Sequence, residues 1–315
     1  MARRFFADGE SAPKASVFIP VLNGARHLPA LIAAVRQQKL AESEIELFAI
    51  DSGSTDGSLT VLHNLGVRTL EIPNAQFGHG RTRNEAMRLT TGEFVAFLTQ
   101  DAVPTRGTWL ARLLEPFSDE RVAATFGRQT PRPDADPRTA RIIEQVYDDQ
   151  PRRLAASPGG PIFSSVNSCV RRTAWEAVPF RDVPYAEDYY LAQDLLARGL
   201  EIAYCPDAEV LHSNSYTLRQ HFGRMVDEVG ALPAPASPHP LRSVLVILLR
   251  ESAANARYAR ARRGRWSARD LSWAVASEIQ RRVPEVVRSR WPERYGWLTR
   301  FSLEGRLRRR GGTAP

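Results

Sequence analysis

Cysteine is nearly missing from this chain: Cys169 and Cys205 are its only two in 315 residues. Two thiols make no disulfide framework, so a buried core must hold the fold, and this length allows one large core plus a small appendage. Long apolar runs are missing too. None exceeds six residues, as at 244–249 (VLVILL), far short of the about 20 residues that cross a bilayer, which argues against an integral membrane protein. The opening MARRFFADGE has no apolar stretch of the kind a secretory signal needs, so the expected location is the cytoplasm.

Acids are scarce in one place only. The last 75 residues carry 18 arginines against six acids, a net +12 within a whole-chain charge of +8, so the first 240 residues carry about −4 on the same count. Between the two halves stands ALPAPASPHP, residues 231–240, whose prolines remove backbone donors and forbid helix. The expected organisation is a catalytic unit over 1–230, a linker over 231–240 and a basic helical extension over 241–315.

What is present in the first half is alternation. Short apolar stretches at 15–19, 46–50, 68–72, 93–98 and 122–126 are separated by helical patterns. After the first stretch, Leu28, Leu31, Ile32 and Val35 fall at the i, i+3, i+4, i+7 spacing of one helix face. Strands that are apolar throughout and separated by helices predict βαβ units in a mostly parallel sheet. In such sheets ligands bind outside the carboxyl ends of the strands. Here those ends are polar and turn-forming: FIPVLNG brings Pro20 and Asn23, AIDSGSTDGS brings Asp51 and Asp56, and FLTQDAVP brings Gln100 and Asp101.

Together these strand ends resemble the family 2 glycosyltransferases over roughly residues 15–225. That resemblance implies a GT-A fold, an α/β class with a Rossmann-like, mixed and mostly parallel sheet flanked by helices, and metal-dependent, inverting sugar transfer. FGHGRTRNEA (77–86) and TQDA (99–102) are similar to the branch of bacterial rhamnosyltransferases that assemble surface polysaccharide.

The resemblance assigns roles residue by residue. Asp51 matches the carboxylate that meets the donor's nucleobase or ribose, with Pro20, Asn23 and Gln100 beside it. Asp56 reads equally well as a helix cap. Two glycines followed by Arg81 and Arg83 bring amides and guanidinium groups to a place suited to a diphosphate, although two arginines at a helix start are also ordinary solvated charge. Arg83 and Asn84 match the family's ARN element, with Thr82 in place of its alanine, and His79 either touches the donor or orders the turn. Thr99 replaces the first aspartate of the D-x-D metal motif, which leaves Asp101, and His212 matches a histidine that would be the second ligand of a divalent cation, Mn²⁺ or Mg²⁺. In YAEDYYLAQDLL, Asp188 matches the catalytic base and Glu187 its neighbour, while acids in a first helical turn also complement the helix dipole. Asn167 is the candidate acceptor contact.

The implied activity moves a sugar, rhamnose from dTDP-rhamnose being the first choice, from a nucleotide-sugar donor to a hydroxyl of a glycan or lipid-linked glycan. A UDP- or GDP-sugar donor and a sugar nucleotidyltransferase are the alternatives. The latter needs a lysine-bearing phosphate loop near the N-terminus, and FIPVLNGARHL has no lysine. LRQHFGRM (218–225) lacks the Q-x-x-R-W element of processive members, so one sugar per visit is expected. In the extension, a Ser267-to-Asp270 capping pattern opens a helix with Leu271, Val275 and Ile279 on one face and Trp266, Trp273, Trp291 and Trp297 nearby. Its arginine-rich helices suit either a packed cap or an anionic membrane surface at the inner face of the cell membrane. No DNA or RNA motif accompanies the charge, which argues against nucleic acid.

Overall fold

The computed structural model describes residues 15–39, 45–154, 163–214, 216–233, 240–265 and 267–305. Most of the expected linker and Trp266 lie outside the described residues. The first half alternates as its pattern predicts: β1 (Ala15–Val21), α1 (Leu28–Arg36), β2 (Ile45–Asp51), α2 (Ser58–Asn64), β3 (Arg68–Glu71), α3 (His79–Leu89) and β4 (Phe94–Leu98). There follow β5 (Val103–Pro104), α4 (Trp109–Leu114), β6 (Val122–Thr130), α5 (Pro137–Val146), β7 (Arg152–Leu154), β8 (Asn167–Arg171), α6 (Arg172–Ala177), α7 (Glu187–Ala197) and β9 (Glu201–Leu211). Four helices complete the chain: α8 (Leu218–Ala231), α9 (Leu241–Arg263), α10 (Ala268–Arg290) and α11 (Pro292–Leu298).

The sheet runs β3-β2-β1-β4-β8-β6-β9-β5, with β7 also on β9. From β3 to β4 every pairing is parallel. β8 then lies antiparallel between β4 and β6, and β6 pairs β9 in parallel. The sheet is therefore mixed, with one parallel block from β3 to β4 and a second parallel pair in β6 and β9.

Both faces of β1 are covered, which explains why it is apolar at consecutive positions. Val17, Ile19 and Val21 pack with Leu28, Leu31, Ile32 and Val35 of α1 on one side. Phe18 joins Phe48, Phe97 and Met87 on the other, together with Leu191 and Leu195 of α7. Because β2 and β3 extend the sheet to one side of β1 and β4 to the other, the chain changes direction at β1, and a crevice opens at the carboxyl ends of β1, β2 and β4.

The extension folds back on the first domain. α9 and α10 form an antiparallel hairpin whose turn is Gly264, at φ 69°, and the pair packs on α5 and α8. The docked face of α10 is not its apolar stripe. Ala274, Ser277 and Glu278 point inward, and Glu278 meets Arg138 of α5 at 3.0 Å in a buried ion pair. Leu271, Val275 and Ile279 face outward. Ser267 holds the N-cap position of α10 without a side-chain cap bond, because Asp270 pairs with Arg263 at 2.9 Å instead of completing the expected capping pattern. No helix among the described residues is long and apolar enough to cross a membrane.

Candidate active site

A cleft of about 300 Å³ opens at the switch point, with Pro20, Ser52, Gln100, Asp101, Asp188 and His212 on its walls. Its floor is made by loops that brace one another. The Gln100 side-chain amide donates to Leu22 O and accepts from Leu22 N, which ties the β1 loop to the β4 loop. Asn23, at φ 51°, accepts from the Thr55 N–H through Oδ1, and its own N–H donates to Ser54 Oγ.

Asp51 answers why a buried strand ends on a carboxylate. It is fully buried, and Oδ1 accepts the N–H groups of Gly53 and Ser54, so one oxygen turns the chain out of β2. Oδ2 is buried with no hydrogen-bond partner among the described residues. A buried carboxylate oxygen left unpaired is costly, and a ligand N–H or hydroxyl would satisfy it. Asp56 stands one residue before the N-cap of α2, which is Gly57, and braces the turn: it accepts the Ser58 N–H through Oδ1 and the Ala25 N–H through Oδ2.

The arginine-rich turn is arranged otherwise than its spacing suggests. α3 starts at His79 and can approach the 180–181 backbone only because residue 80 is glycine, since a Cβ there would lie 2.0 Å from Arg181 O. Arg81 turns to solvent, pairs with Asp182 at 3.3 Å and is not among the described residues that line the cleft. Asn84 is structural: it donates to Phe180 O and accepts from the N–H of Phe180 and from Trp175 Nε1. Arg83 does line the cleft; its Nη1 pairs with Glu187 at 2.8 Å, almost wholly buried, and donates to His79 O, while Nε is buried without a partner among the described residues.

That pairing divides the two acids. Burial pushes the Glu187 carboxyl up, yet the charges of Arg83 and His79 outweigh it and hold Glu187 below the ordinary range. At Asp188 the pull of Arg83 is outweighed. Burial first, and then the neighbouring Glu187 charge, push it up to about 6. Asp188 Oδ2 accepts the Ser165 N–H at 3.1 Å, and Oδ1 accepts from Tyr189. A carboxylate poised near neutrality and facing a cleft is suited to taking a proton there.

Across the cleft, Asp101 Oδ2 lies 3.6 Å from His212 Nε2. Gln129 Oε1, an acceptor, sits 2.9 Å from His212 Nδ1, which places the ring proton on Nδ1 and leaves the Nε2 lone pair toward Asp101. Burial lowers the His212 pKa against the pull of Asp101, so the ring is neutral. One carboxylate and one neutral imidazole aimed at the same point fit a divalent cation that takes its remaining oxygens from diphosphate and water. Among the described residues, no cluster of three or more His, Cys, Asp or Glu is gathered for a metal.

Asn167, the candidate acceptor contact, is not among the described residues that line the cleft. It is 1% exposed, and its amide is consumed by Trp109 Nε1, Arg128 O and Ala208 O, which join β8 to its neighbours. Residues unmarked in the sequence enter in its place: Tyr185, Tyr216 and Arg224 of α8, and Glu304 from the segment after α11. Arg224 stacks over the Tyr185 ring at 4.2 Å. Only its place on the buried side of an amphipathic helix hinted at Arg224, and nothing local hinted at Glu304.

The family model described as Glycosyl transferase family 2 matches residues 16–178. The O-antigen chain rhamnosyltransferase WbaN of Salmonella anatum is 33% identical over 204 residues, which are 60% of this chain and 63% of that protein. RfbN of Salmonella typhimurium, also an O-antigen chain rhamnosyltransferase, is 31% identical over 227 residues, 68% of this chain and 71% of that protein. In fold, the chain is similar to a mannosyltransferase of Pyrobaculum calidifontis solved with GDP-Man and Mn²⁺, with a TM-score of 0.54 at 18% identity over 94% of this chain and 85% of that one. Staphylococcus aureus TarS, solved with UDP, gives 0.53 at 15% identity over 96% and 93%. These neighbours carry the GT-A architecture, and with the family match they identify this chain as an enzyme that belongs to glycosyltransferase family 2.

Proposed function

We propose that this enzyme transfers rhamnose, with inversion, from dTDP-rhamnose to a hydroxyl of a lipid-linked or polysaccharide glycan, one sugar per visit. The observation that carries the reading is Asp188, a carboxyl held near neutrality across the cleft from Asp101 and His212. The choice of rhamnose leans on the relatives named as O-antigen chain rhamnosyltransferases. Residues 1–230 are the catalytic unit in this reading, and 241–315 its extension.

The chemistry follows from the placement of the side chains. An acceptor hydroxyl attacks the anomeric carbon from the side opposite the leaving diphosphate. As the new C–O bond forms and the bond to the diphosphate breaks, Asp188 takes the hydroxyl proton and becomes a neutral acid, a state its surroundings already favour. Glu187, fixed by Arg83, stays ionised and raises the proton affinity of Asp188. The unpaired Asp51 Oδ2 receives a base N–H or ribose hydroxyl of the donor. Asp101 and His212 would hold a divalent cation, Mn²⁺ or Mg²⁺, which supplies charge neutralisation to the leaving diphosphate.

A second feature supports a peripheral place on the inner face of the cell membrane. Leu245, Val246 and Leu249 of α9 and Leu271, Val275, Ile279 and Val283 of α10 are all outward and exposed, on helices that carry most of the arginine excess. An apolar stripe among basic side chains is the pattern of an interfacial helix on anionic lipid. The donor assignment is tested by calorimetry in the presence of manganese: dTDP-rhamnose or dTDP binds more tightly than UDP-glucose or GDP-mannose. Equal or tighter binding of either competitor removes rhamnose and leaves the enzyme class standing.

A further inference from the structure

Glu304 reaches the cleft from well beyond the end of α8 at Ala231, and there it lies beside His79 and Arg224. Its carboxylate lies 3.4 Å from His79 Nε2 and 3.8 Å from Arg224 Nη1, and 14% of the side chain is exposed. The segment is anchored by backbone: the N–H groups of Leu303 and Glu304 donate to Asp227 Oδ2 at 2.8 and 2.9 Å. Arg224 and Asp227 lie one turn apart on α8, so a single helix presents the cation and holds the segment that answers it.

The charge of the cleft makes this arrangement consequential. Asp101, Glu187, Asp188 and Glu304 all line it, and a nucleoside diphosphate would bring further negative charge. Of the two guanidinium groups among the described residues on its walls, Arg83 pairs with Glu187. The Arg224 guanidinium and the His79 ring are in position to receive phosphate oxygens, and Glu304 lies against both. Its contacts to these two groups are longer than the about 2.7–2.9 Å of a tight charge-assisted hydrogen bond. Because the anchoring bonds run to backbone, the carboxylate can turn aside while the segment stays docked.

We propose that Glu304 holds the place of the donor's diphosphate, pairing with His79 and Arg224 in the donor-free cleft and yielding both to phosphate oxygens when the donor binds. This rests on the reading above that a nucleoside diphosphate is the ligand. It makes donor binding an exchange of one anion for another and ties donor affinity to the extension.

The test is calorimetric titration of dTDP and of inorganic pyrophosphate into the full chain and into Glu304→Gln, with and without manganese. The glutamine keeps the shape and the backbone anchor but loses the competing charge. Both anions should bind about three- to tenfold more tightly, the factor expected for release of a partly exposed ion pair. Unchanged or weaker binding in a variant that melts like the parent overturns the proposal, because a carboxylate that merely positions Arg224 would be missed when removed. If the glutamine variant melts early, Glu304→Ala carries the same expectation. Should none of dTDP, UDP or GDP bind the parent at millimolar concentration, the glycosyltransfer reading falls, and this inference with it.

Discussion

Asp188→Asn separates the two things the side chain does, because asparagine keeps its size but cannot take a proton. General-base catalysis is worth about 10² to 10⁴ in rate, or about 3–5 kcal/mol of barrier, so kcat should fall within that range while donor affinity stays near the parent value. With Asp188 pushed up to about 6, the parent's activity should decline with a slope of one as pH drops through 6, and that limb should vanish in the variant. Stability moves the other way. A carboxyl whose pKa is raised by folding stabilises the fold below its unfolded value, near 3.8, and loses that contribution as pH rises through about 6. Above pH 7 the ionised group is therefore a cost. A shift of about two units corresponds to about 3 kcal/mol at most, and because Asp188 is only partly buried and its oxygens accept two N–H bonds, about 1 kcal/mol is the expected gain for asparagine at pH 8. The gain should shrink on acidification and disappear near pH 4. Turnover and thermal melting across pH 5–8 read both effects. Near-normal turnover, or an acid limb that persists in the variant, would refute Asp188 as the base and turn attention to Glu187.

Asp101→Ala should abolish manganese-stimulated dTDP binding, whereas His212→Ala should only weaken it, since water can take a vacated position; calorimetry with and without the metal distinguishes them. Asn167→Ala should lower the melting temperature, at a cost of about 2–3 kcal/mol for the buried partners it strands, while leaving the acceptor KM unchanged; a selective rise in KM would restore it as an acceptor contact. Removing residues 241–315 should destabilise the remaining chain, because α9 and α10 cover α5 and α8 and their loss exposes that packed surface, so membrane attachment is better tested by paired Leu249→Ser and Ile279→Ser. That variant should keep its melting temperature and lose co-sedimentation with anionic liposomes at low salt. Retained binding, or a parent that ignores such liposomes, removes the interfacial role.

What the sequence by itself determined is what local spacing controls. Strands apolar at consecutive positions must be covered on both faces, so 15–19, 46–50 and 93–98 could only lie inside a sheet flanked by helices, and the polar residues that end them had to collect at one edge. Asp51, Asp101, Asp188 and His212 were legible on those terms, because each closes or follows a strand, or opens a helix, at that edge. Partnership was not legible. Arg81, Arg83 and Asn84 are neighbours in one helical turn, yet one faces solvent, one neutralises Glu187 and one bonds the 180 loop, because successive residues on a helix point in directions about 100° apart and each meets whatever the distant chain has placed there. Asn167 reads as a polar loop residue and lies instead in β8, where three buried groups claim its amide. α10 shows an apolar stripe that pattern would bury, and the ion pair between Glu278 and Arg138 docks the opposite face. Glu304 enters the cleft only because α8 to α11 carry the chain back across the domain to Asp227. Periodicity states which face of an element is apolar. Which charges meet across more than a hundred residues is decided when the elements pack, since only then do burial and proximity set the cost of leaving a charge unpaired.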